Sequence, residues 1–375
     1  MPRVRVYGGI ASLPASCAGL FRGGVFHSLP WFRVLEGALG SMRIHALESG
    51  EGVHALLPMC VQSSGGLLAP RRLGAAANYY TPLFHPLLAD DAAEQVCLDA
   101  LARGIAGARW DSVTFFPMDR EAPHFSALCS ALRAARMAVQ PYLCFGNWYL
   151  KVNGRSYDAY AASLPPRLRN TLKRKGQQLG KRMRIEILSG GDRLDEAIAA
   201  YEVVYRASWK PPEGHPQFMP SLIRACADEG WLRMGVAWID GVPAAAQVWM
   251  VSDGVASIFK LAYDQRFVKH SVGSLLTAAL MRHVIDVDGV TEVDFLSGDD
   301  PYKQDWMSHR RERWGIAAFN LRTLRGVLFG LLHIGGRWVK RLFLSSVARF
   351  RSSLRWGLPG LAPAGDLLSL LRQRK

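Results

Sequence analysis

Three short apolar segments joined by two tight turns constrain the fold of this chain more than any other feature. The segments are residues 232–239, 242–251 and 255–263, and the dipeptides Asp240-Gly241 and Asp253-Gly254 lie between them. Because Asp-Gly favours the two-residue turns of β-hairpins, this pattern predicts a three-stranded antiparallel meander. Apolar residues at helical spacing from residue 272 then predict a helix, and a short strand follows at 292–296.

The first 150 residues alternate between strand-like and helix-like segments, so the sequence predicts mixed α/β structure on both sides of a boundary near residue 150. The predicted strands there are 53–61, 112–116 and 144–152, and the predicted helices are 91–106 and 124–137. We expect a first domain over 1–150, a second over 151–320 and a tail over 321–375. A chain of 375 residues that is 49% hydrophobic is long enough to bury two cores.

Positive charge is concentrated in the tail. Residues 321–375 hold eleven lysines and arginines and one acid, Asp366, and so contribute +10 of the net charge of +15. Leucine, phenylalanine and tryptophan recur among these cations at loosely helical spacing, which is typical of a segment on an anionic membrane surface. A helix that packs on the domain and shows its arginines to water fits the same pattern, so both interpretations stay open.

Neither a secretory signal nor an apolar run of membrane-spanning length is present in the sequence, which predicts a cytoplasmic protein. Membrane binding through the tail would place it at the inner face of the plasma membrane. The six cysteines are scattered without metal-ligand spacing, so we expect reduced thiols and no metal site.

A second basic cluster lies in the segment PPRLRNTLKRKGQQLGKRMR. The prolines before Arg167 suit a helix start, and the predicted helix carries eight cations, beginning with Arg167 and Arg169 and ending at Arg184. Such a helix is either a solvated face or a surface that binds the phosphates of a substrate or of RNA.

The stretch TEVDFLSGDDPYKQDW ends a buried strand in two carboxylates, a phenol and an ammonium. The four side chains belong to Asp299, Asp300, Tyr302 and Lys303. An ammonium can stabilise developing negative charge, and a phenol and a carboxylate can donate and accept protons. The same four residues would also suit the cap of a helix that begins at Pro301.

Lone polar side chains in the meander and its surroundings are further candidate contacts to a substrate. Lys260 stands in the apolar strand SIFKLAYD, where it is costly to bury unless it is paired, and Tyr263 and Asp264 close that strand. Gln247 is either a satisfied core amide or a substrate contact. Trp209 flanks a proline-rich loop that either roofs a pocket or packs, and Asn78–Pro82 is either a ligand-facing loop or an aromatic turn.

The order of meander, loop, helix and strand resembles that of GNAT acyltransferases. In that superfamily an Arg/Gln-x-x-Gly-x-Gly/Ala loop at a helix N-terminus holds the pyrophosphate of acyl-CoA. The corresponding segment here is VKHSVGS, with Val268 in place of Arg/Gln and Ser271 in place of the first glycine. The resemblance implies that the donor is held by Lys269, His270, Ser271, Gly273 and Ser274.

The blocks AAAQVWMVSDGVASIFKLAYDQRF, SVGSLLTAAL, EVDFLSGDDPYKQDW and RRERWG are similar to one branch of that superfamily. The branch contains the FemAB-type peptidyltransferases and the CelD-type acetyltransferases of polysaccharide gene clusters, and the resemblance covers residues 150–320 best. It implies an α/β fold of tandem GNAT-like domains with mixed central sheets. It also implies transfer of an acyl group, from acyl-CoA or from aminoacyl-tRNA, to an amine or hydroxyl of a polysaccharide or cell-envelope precursor.

The resemblance further implies roles for the polar loop. Tyr302 and Lys303 match an aromatic-lysine pair beside the reacting carbonyl, where Lys303 would stabilise the oxyanion and Tyr302 would protonate the leaving thiolate. Asp299 or Asp300 would accept a proton from the acceptor, and the other would cap the helix, a role that suits Asp300 before proline. We also expect Lys260, Tyr263, Asp264, Gln247, Arg167, Arg169 and Trp209 to contact substrate. An acyl-CoA-dependent acyltransferase is the main expectation. The alternatives are a transferase that uses aminoacyl-tRNA and a non-catalytic assembly factor.

Overall fold

A computed structural model describes residues 2–50, 52–62 and 69–334 and shows a mixed sheet with helices packed against it. The strands are β1 Arg3–Tyr7, β2 Arg43–Ser49, β3 Gly52–Gln62, β4 Arg72–Ala75, β5 Leu87–Leu88, β6 Ser112–Asp119, β7 Met137–Lys151, β8 Met183–Leu188, β9 Leu232–Ile239, β10 Val242–Ser252, β11 Val255–Tyr263, β12 Glu292–Asp294 and β13 His309–Asn320. The helices are α1 Leu29–Leu39, α2 Glu94–Gly107, α3 Pro123–Ala134, α4 Tyr157–Ser163, α5 Pro166–Leu179, α6 Leu194–Arg206, α7 Phe218–Asp228 and α8 Val272–Asp286. The predicted α/β fold class is confirmed.

One sheet runs through both halves of the chain. Its strand order is β1-β2-β3-β4-β6-β13-β7-β12-β11-β10-β9-β8, and β5 pairs with β3. The strand β13, from the end of the described chain, lies between β6 and β7 of the first half. The sheet therefore crosses the predicted boundary near residue 150 without a break, and the division into domains stays a prediction.

The predicted meander is confirmed by β9, β10 and β11. Asp240 and Asp253 have φ of 50° and 52°, and the glycines that follow them have φ of 79° and 74°. Two consecutive residues with positive φ are what a type I′ hairpin turn requires, and Asp-Gly adopts this conformation with little strain. Local turn chemistry therefore fixes the register of these three strands.

Two predicted helices are shorter in the structure. The basic helix α5 ends at Leu179 because Gly180 turns the backbone to φ 48°, so Lys181 and Arg182 lie in a 3-10 turn and Arg184 lies on β8. The helix predicted after Asp300 is a single 3-10 turn over Pro301–Asp305. Its chain turns away at Trp306, which is buried, and enters β13.

The two halves share an apolar core. Helix α1 of the first half packs on α7 of the second, where Trp31 meets the ring of Phe218 edge to face at a centroid distance of 5.9 Å. A second cluster fills the first half around α2 and α3, and a third lies between α8 and the meander. This shared burial fixes the cleft between the halves, in which both cavities described below lie.

Part of the predicted tail is described. Residues 324–334 are helical, and among the described helices none has the length and apolar character needed to cross a bilayer. The remainder of the tail, 335–375, lies outside the described residues.

Candidate active site

A cavity opens where two parallel strands separate. Strands β11 and β12 pair only at residues 255–257 and 292–294, after which β11 continues to Tyr263 while the chain beyond Asp294 turns away. The gap beyond their paired ends holds a cavity of about 520 Å³, which we call the aromatic cavity. Crevices beyond the carboxyl ends of parallel strands are the usual ligand sites of open α/β sheets.

Four segments from both halves of the chain line the aromatic cavity. They are the first-half residues Tyr79, Tyr80 and Pro82; the α6–α7 loop residues Trp209 and Lys210; Ile258, Phe259, Lys260 and Leu261 of β11; and Phe295, Leu296, Ser297, Asp300, Tyr302 and Lys303 after β12. The structure thus brings together five candidate residues from the sequence: Trp209, Lys260, Asp300, Tyr302 and Lys303. It also places the Asn78–Pro82 loop against a cavity, which was one of its two interpretations.

Lys303 is buried and holds the loop that follows β12. Its ammonium donates to the carbonyl oxygens of Ser297 at 2.6 Å, Gly298 at 3.3 Å and Phe295 at 3.4 Å, and lies 3.5 Å from the carboxylate of Asp300. Burial lowers the pKa of Lys303, and the charge of Asp300 opposes that shift. Because an ammonium has three N–H groups, Lys303 is fully engaged and places a fixed positive charge in the cavity wall.

Tyr302 has a free hydroxyl at the mouth of the cavity. The residue is 44% exposed, its ring meets Phe295 edge to face at 5.7 Å, and within the described residues its hydroxyl has no hydrogen-bond partner. Burial and the charge of Asp300 raise the pKa of Tyr302 above its ordinary value. The phenol therefore keeps its proton at neutral pH and is able to donate it.

The buried cation predicted at Lys260 is paired. Its ammonium lies 2.8 Å from the carboxylate of Glu213 and over the rings of Tyr80, at 4.8 Å, and Tyr205, at 5.6 Å. Glu213 also accepts a hydrogen bond from the hydroxyl of Tyr80. Burial would raise the pKa of Glu213, but the hydrogen bonds from Lys260 and Tyr80 lower it below its ordinary value. This cluster links the first half to β11 through the α6–α7 loop.

Lys210 is a candidate functional residue that the sequence interpretation missed. It is half-buried, its ammonium lies 5.7 Å from the ring of Trp209, and in the described part of the chain no carboxylate forms an ion pair with it. Burial, and then the neighbouring charge of Lys260, lower the pKa of Lys210 to about 8. The available signal was a lysine directly after Trp209 in a loop of prolines and glycine.

Asp299 lies outside the lining of the aromatic cavity. Its carboxylate accepts from Arg310 at 2.7 Å and from the indole nitrogen of Trp148 at 2.7 Å, and the hydrogen bond from Arg310 lowers its pKa. Both oxygens are therefore engaged in fixing the loop to β7 and β13. The aspartate that lines the cavity is Asp300.

Three predicted contact residues support the cavity from behind. Gln247 is a satisfied core amide, because it donates to the carbonyl of Gly273 and the hydroxyl of Thr277 and accepts from the indole of Trp249. Asp264 caps the 3-10 turn after β11 and pairs with Arg266 at 2.6 Å. The ring of Tyr263 packs on Trp209 at 4.6 Å and holds that wall of the cavity in place.

The segment expected to hold the donor lies at the start of α8. Lys269 and His270 belong to a 3-10 turn, Ser271 takes a left-handed conformation with φ 52°, and α8 begins at Val272. A Cβ on Gly273 would lie 3.2 Å from the ring of Tyr263, so this position suits glycine. The first-turn amides, which include those of Gly273 and Ser274, have no partner inside the helix, as at any helix start.

The basic helix α5 lies beside this segment. Gly176 of α5 faces Leu275 of α8, and the opposite face of α5 lines a groove of about 490 Å³ that contains Arg167 and Lys173. Arg169 is exposed on the same helix but does not line the groove. Within the described residues, no acid forms an ion pair with any cation of α5.

Part of the chain is similar to a known protein family. Residues 166–304 match a family model described as an acetyltransferase (GNAT) domain. A search of curated proteins found no relative. The matched range contains β11, β12, α8 and the loop of Lys303, so it includes most of the aromatic cavity.

Solved structures with the same fold cover nearly the whole described chain. FemX is 11% identical, with 83% of this chain and 94% of that chain covered and a TM-score of 0.57. The C-terminal domain of a putative lysylphosphatidylglycerol synthetase from Agrobacterium fabrum is 13% identical, with 85% and 95% covered and a TM-score of 0.54. L-PGS from Bacillus licheniformis is 13% identical, with 88% and 98% covered and a TM-score of 0.51. The chain thus shares the fold of these proteins, and its residues 166–304 are similar to a GNAT-type acetyltransferase domain.

Proposed function

We propose that the protein transfers an acyl group from acyl-CoA to an amine or hydroxyl of a polysaccharide or cell-envelope precursor, and that the aromatic cavity is where transfer occurs. One observation carries this proposal: the cavity opens at the separation of β11 and β12, inside the range that matches the GNAT domain model. The name of one similar structure, a putative lysylphosphatidylglycerol synthetase, refers to a modified membrane phospholipid and supports a cell-envelope acceptor.

The donor would bind with its phosphates at the start of α8. Helix N-termini attract anions through their unpaired amides and the helix dipole, and here Gly273 and Ser274 supply such amides. The exposed Lys269 adds positive charge in the turn directly before that helix, and Arg167 and Arg169 are exposed cations of the neighbouring helix α5. These residues favour a donor that carries phosphate groups.

The residues of the aromatic cavity supply each proton step of a direct transfer. The nucleophilic atom of the acceptor attacks the carbonyl carbon of the donor, the carbon–sulfur bond breaks, and the sulfur leaves with the bonding electrons. Lys210, as a free amine, accepts the proton of the acceptor, and Tyr302 protonates the departing thiolate. The fixed charge of Lys303 stabilises the negative charge that develops on the carbonyl oxygen. Asp299 holds the loop, and proton acceptance falls to Lys210.

An aminoacyl-tRNA donor is the second candidate. The observation that favours it is the acid-free groove on α5, because rows of unpaired cations are the usual surface for a nucleic-acid backbone. The same cavity would then receive the ester of the tRNA terminus instead of a thioester.

Thiol release tests the proposed reaction. Purified protein is incubated with acetyl-CoA and a panel of amino and hydroxyl sugars, and free thiol and acylated products are measured with and without RNase. We expect RNase-resistant release that is lost in Lys210→Met and kept in Lys151→Met, a matched change at an exposed lysine at the end of β7. Consumption of aminoacyl-tRNA alone would favour the second candidate. Binding of a sugar without turnover of either donor would indicate an assembly factor.

The protein is also proposed to work at an anionic membrane surface. On the helix 324–334, four leucines at i, i+4, i+7 and i+8 spacing form an exposed apolar stripe, and they are Leu324, Leu328, Leu331 and Leu332 at 86%, 57%, 67% and 66% exposure. An apolar stripe at the start of a strongly basic segment is the composition of an interfacial helix.

Vesicle sedimentation tests this location. The full-length protein should sediment with phosphatidylglycerol vesicles, and less so at high salt, because charge attraction is screened within a Debye length. Changing the four leucines to serine should abolish sedimentation without loss of turnover. Equal sedimentation of both proteins would contradict the role of the stripe, and so would the absence of sedimentation by the full-length protein.

A further inference from the structure

Exposed arginines gather at one end of the first-half sheet, where β4, β6 and β7 begin and β13 ends. The backbones of the connecting segments hold one another there. The amide of Asp111 donates to the carbonyl of Arg71 at 2.9 Å, and the amide of Leu321 donates to the carbonyl of Arg136 at 3.2 Å. We call the exposed arginines of these segments the arginine end, and they are Arg71, Arg109, Arg133, Arg136 and Arg322.

Acids are nearly absent from the same segments. Among residues 69–72, 107–112, 133–137 and 320–334, the one acid is Asp111. It is 4% exposed, and its carboxylate accepts from the backbone amide of Arg71 at 2.7 Å. Within the described residues, no carboxylate forms an ion pair with a side chain of the arginine end. Neighbouring like charges repel, so this grouping adds nothing to the stability of the fold.

Two of these arginines occupy backbone positions that suit other residues. Arg109 and Arg136 each follow the C-cap of a helix, α2 and α3, and have φ of 57° and 62°. Glycine, or else asparagine, is usual in this left-handed position, because a Cβ is crowded there. The same unfavourable choice at both helix-to-strand turns is better explained by a use for the charge than by folding.

The exposed leucines of the helix 324–334 stand at the same end of the sheet. A Cβ on Gly326 would lie 2.3 Å from the carbonyl oxygen of Asn320 and 2.8 Å from that of Asp111, so this helix lies directly against the end of β13 and the turn before β6. The guanidinium of Arg72 lies 5.8 Å from the ring of Phe329 in the helix. Cations and exposed leucines therefore share one end of the molecule.

We infer that the arginine end binds the phosphates of anionic lipid headgroups, so that the folded first half, and not only the tail, docks on the bilayer. Guanidinium groups match phosphate oxygens in pairs, and leucines beside them can enter the layer beneath the headgroups. A nucleic-acid backbone would use the arginines but leave the leucines in water. The chain's own tail does not suit this surface, because residues 335–375 contain nine lysines and arginines and one acid.

This docking would keep the aromatic cavity away from the lipid. Strand β7 begins beside the arginine end with Met137, and its residue Asn147 bridges Gly298 in the loop of Lys303. Residues 137 to 147 of an extended strand span about 33 Å. An acceptor would have to extend or diffuse that far from the headgroups, as a sugar precursor can and a phospholipid headgroup cannot. The inference rests on the proposed function at an anionic membrane.

Vesicle sedimentation of the full-length protein tests the inference, with phosphatidylglycerol mixed into phosphatidylcholine or with phosphatidylcholine alone. The variant combines Arg109→Asn, Arg136→Asn and Arg322→Gln. Asparagine tolerates positive φ better than arginine, so the melting temperature of the variant should not fall below that of the wild type. We expect the variant to bind the anionic vesicles about tenfold more weakly. On phosphatidylcholine alone the two proteins should behave alike.

Three exposed arginines elsewhere provide a matched control. Arg3→Gln, Arg33→Gln and Arg206→Gln remove the same charge from β1, α1 and α6. Binding of this control to anionic vesicles should stay within about twofold of the wild type, because charges far from the lipid are screened. Equal losses in variant and control would overturn the inference, since binding would then follow net charge alone. Wild-type binding by the variant would overturn it as well.

Hydrogen exchange measured by mass spectrometry locates the contact on vesicle-bound protein. Peptides from 107–112, 133–137 and 320–334 should exchange more slowly than in the free protein, and peptides from 297–303 should not change. Protection of 297–303 without protection of the other three would overturn the inference. So would binding of a single-stranded RNA, lost in the arginine variant, by a protein that ignores vesicles, because the arginine end would then be a nucleic-acid surface.

The inference and the proposals beneath it can fail separately. Vesicle binding that needs the four leucines but not the arginines would overturn the role of the arginine end and keep the membrane location. Vesicle binding that needs the arginines, without thiol release from acetyl-CoA, would keep the docking surface and contradict acyl transfer.

Discussion

The aromatic cavity, of about 520 Å³, adjoins a second cavity of about 380 Å³, the seam pocket, which lies over the strands β6, β13, β7, β12 and β11. The two cavities have opposite chemistry. The first has three ammonium groups and one carboxylate among aromatic rings, and the second has four carboxylates and two guanidinium groups on a polar sheet face. Pro82 and Leu296 line both of them. The net charge of the chain does not reveal this separation of charge between the two cavities, because each cavity forms where strands that are distant in the sequence meet in the fold.

The largest expected effect concerns the aromatic cavity, where cations outnumber carboxylates. Lys210→Met should lower kcat by about 10²–10⁴-fold, the usual contribution of a general base. In the wild type, kcat/KM should rise as pH passes through about 8, because the pKa of Lys210 is lowered to that value and its neutral form then accumulates. The pH–rate profile of the variant should lose this limb. An unchanged limb would assign proton acceptance to another group.

Lys303→Met should lower kcat by about 10²-fold, the effect of losing one stabilising group at the oxyanion. The change also leaves the carbonyls of Ser297 and Gly298 without their donor, so the free energy of unfolding should fall by about 1–3 kcal/mol. Kinetics and urea unfolding, each with Lys151→Met as the control, separate the two effects. A folded Lys303→Met variant with wild-type turnover would show that the charge only holds the loop.

Tyr302→Phe should lower kcat by about tenfold without changing stability. The hydroxyl has no partner to lose in the described structure, and a thiolate with a pKa of about 8.5 leaves readily even without a proton donor. Solvent isotope effects on kcat should fall in the variant if the phenol transfers a proton. Full activity with an unchanged isotope effect would remove Tyr302 from the mechanism.

The smallest expected effect concerns the approach of the donor. Changing Arg167, Arg169 and Lys173 to glutamine should raise KM for acyl-CoA several-fold at low salt and leave kcat unchanged, because these cations are exposed and none of them lines the aromatic cavity. At about 0.5 M salt the difference should disappear through screening. The same change at Arg33, Arg103 and Lys151 is the control. An equal effect of both sets would show that the cations of the α5 groove act only through the general positive charge of the surface.

The meander and the loop of Lys303 could be predicted from sequence because their signals are local. Each Asp-Gly turn fixes two strands that are adjacent in the chain, and the polar loop directly follows its strand. The Lys260 cluster could not be predicted in the same way. Its partner Glu213 is 47 residues from Lys260 and 133 from Tyr80, so only the packing of the two halves brings the three together.

The sequence contains even less information about the seam pocket than about the Lys260 cluster. Asp119, Asn147, Asp294 and Arg313 come from four strands, and each one alone is an ordinary polar residue of a strand. They meet because β13 enters the sheet between β6 and β7, and no local pattern specifies that pairing. Asp299 shows the converse difficulty, since a carboxylate next to a predicted site is used here to bind Arg310 and Trp148.

The position of β13 has a consequence for how the protein is made. Strands β6 and β7 are consecutive strands of the first half, yet each leaves a hydrogen-bonding edge that only His309–Asn320 fills. While a ribosome is still synthesising the second half, the first half therefore exposes open edges on β6 and β7, which are sites of mispairing between chains. We expect the native sheet to close only after almost all of the described chain has left the ribosome, so that the cell must protect a long unfinished intermediate.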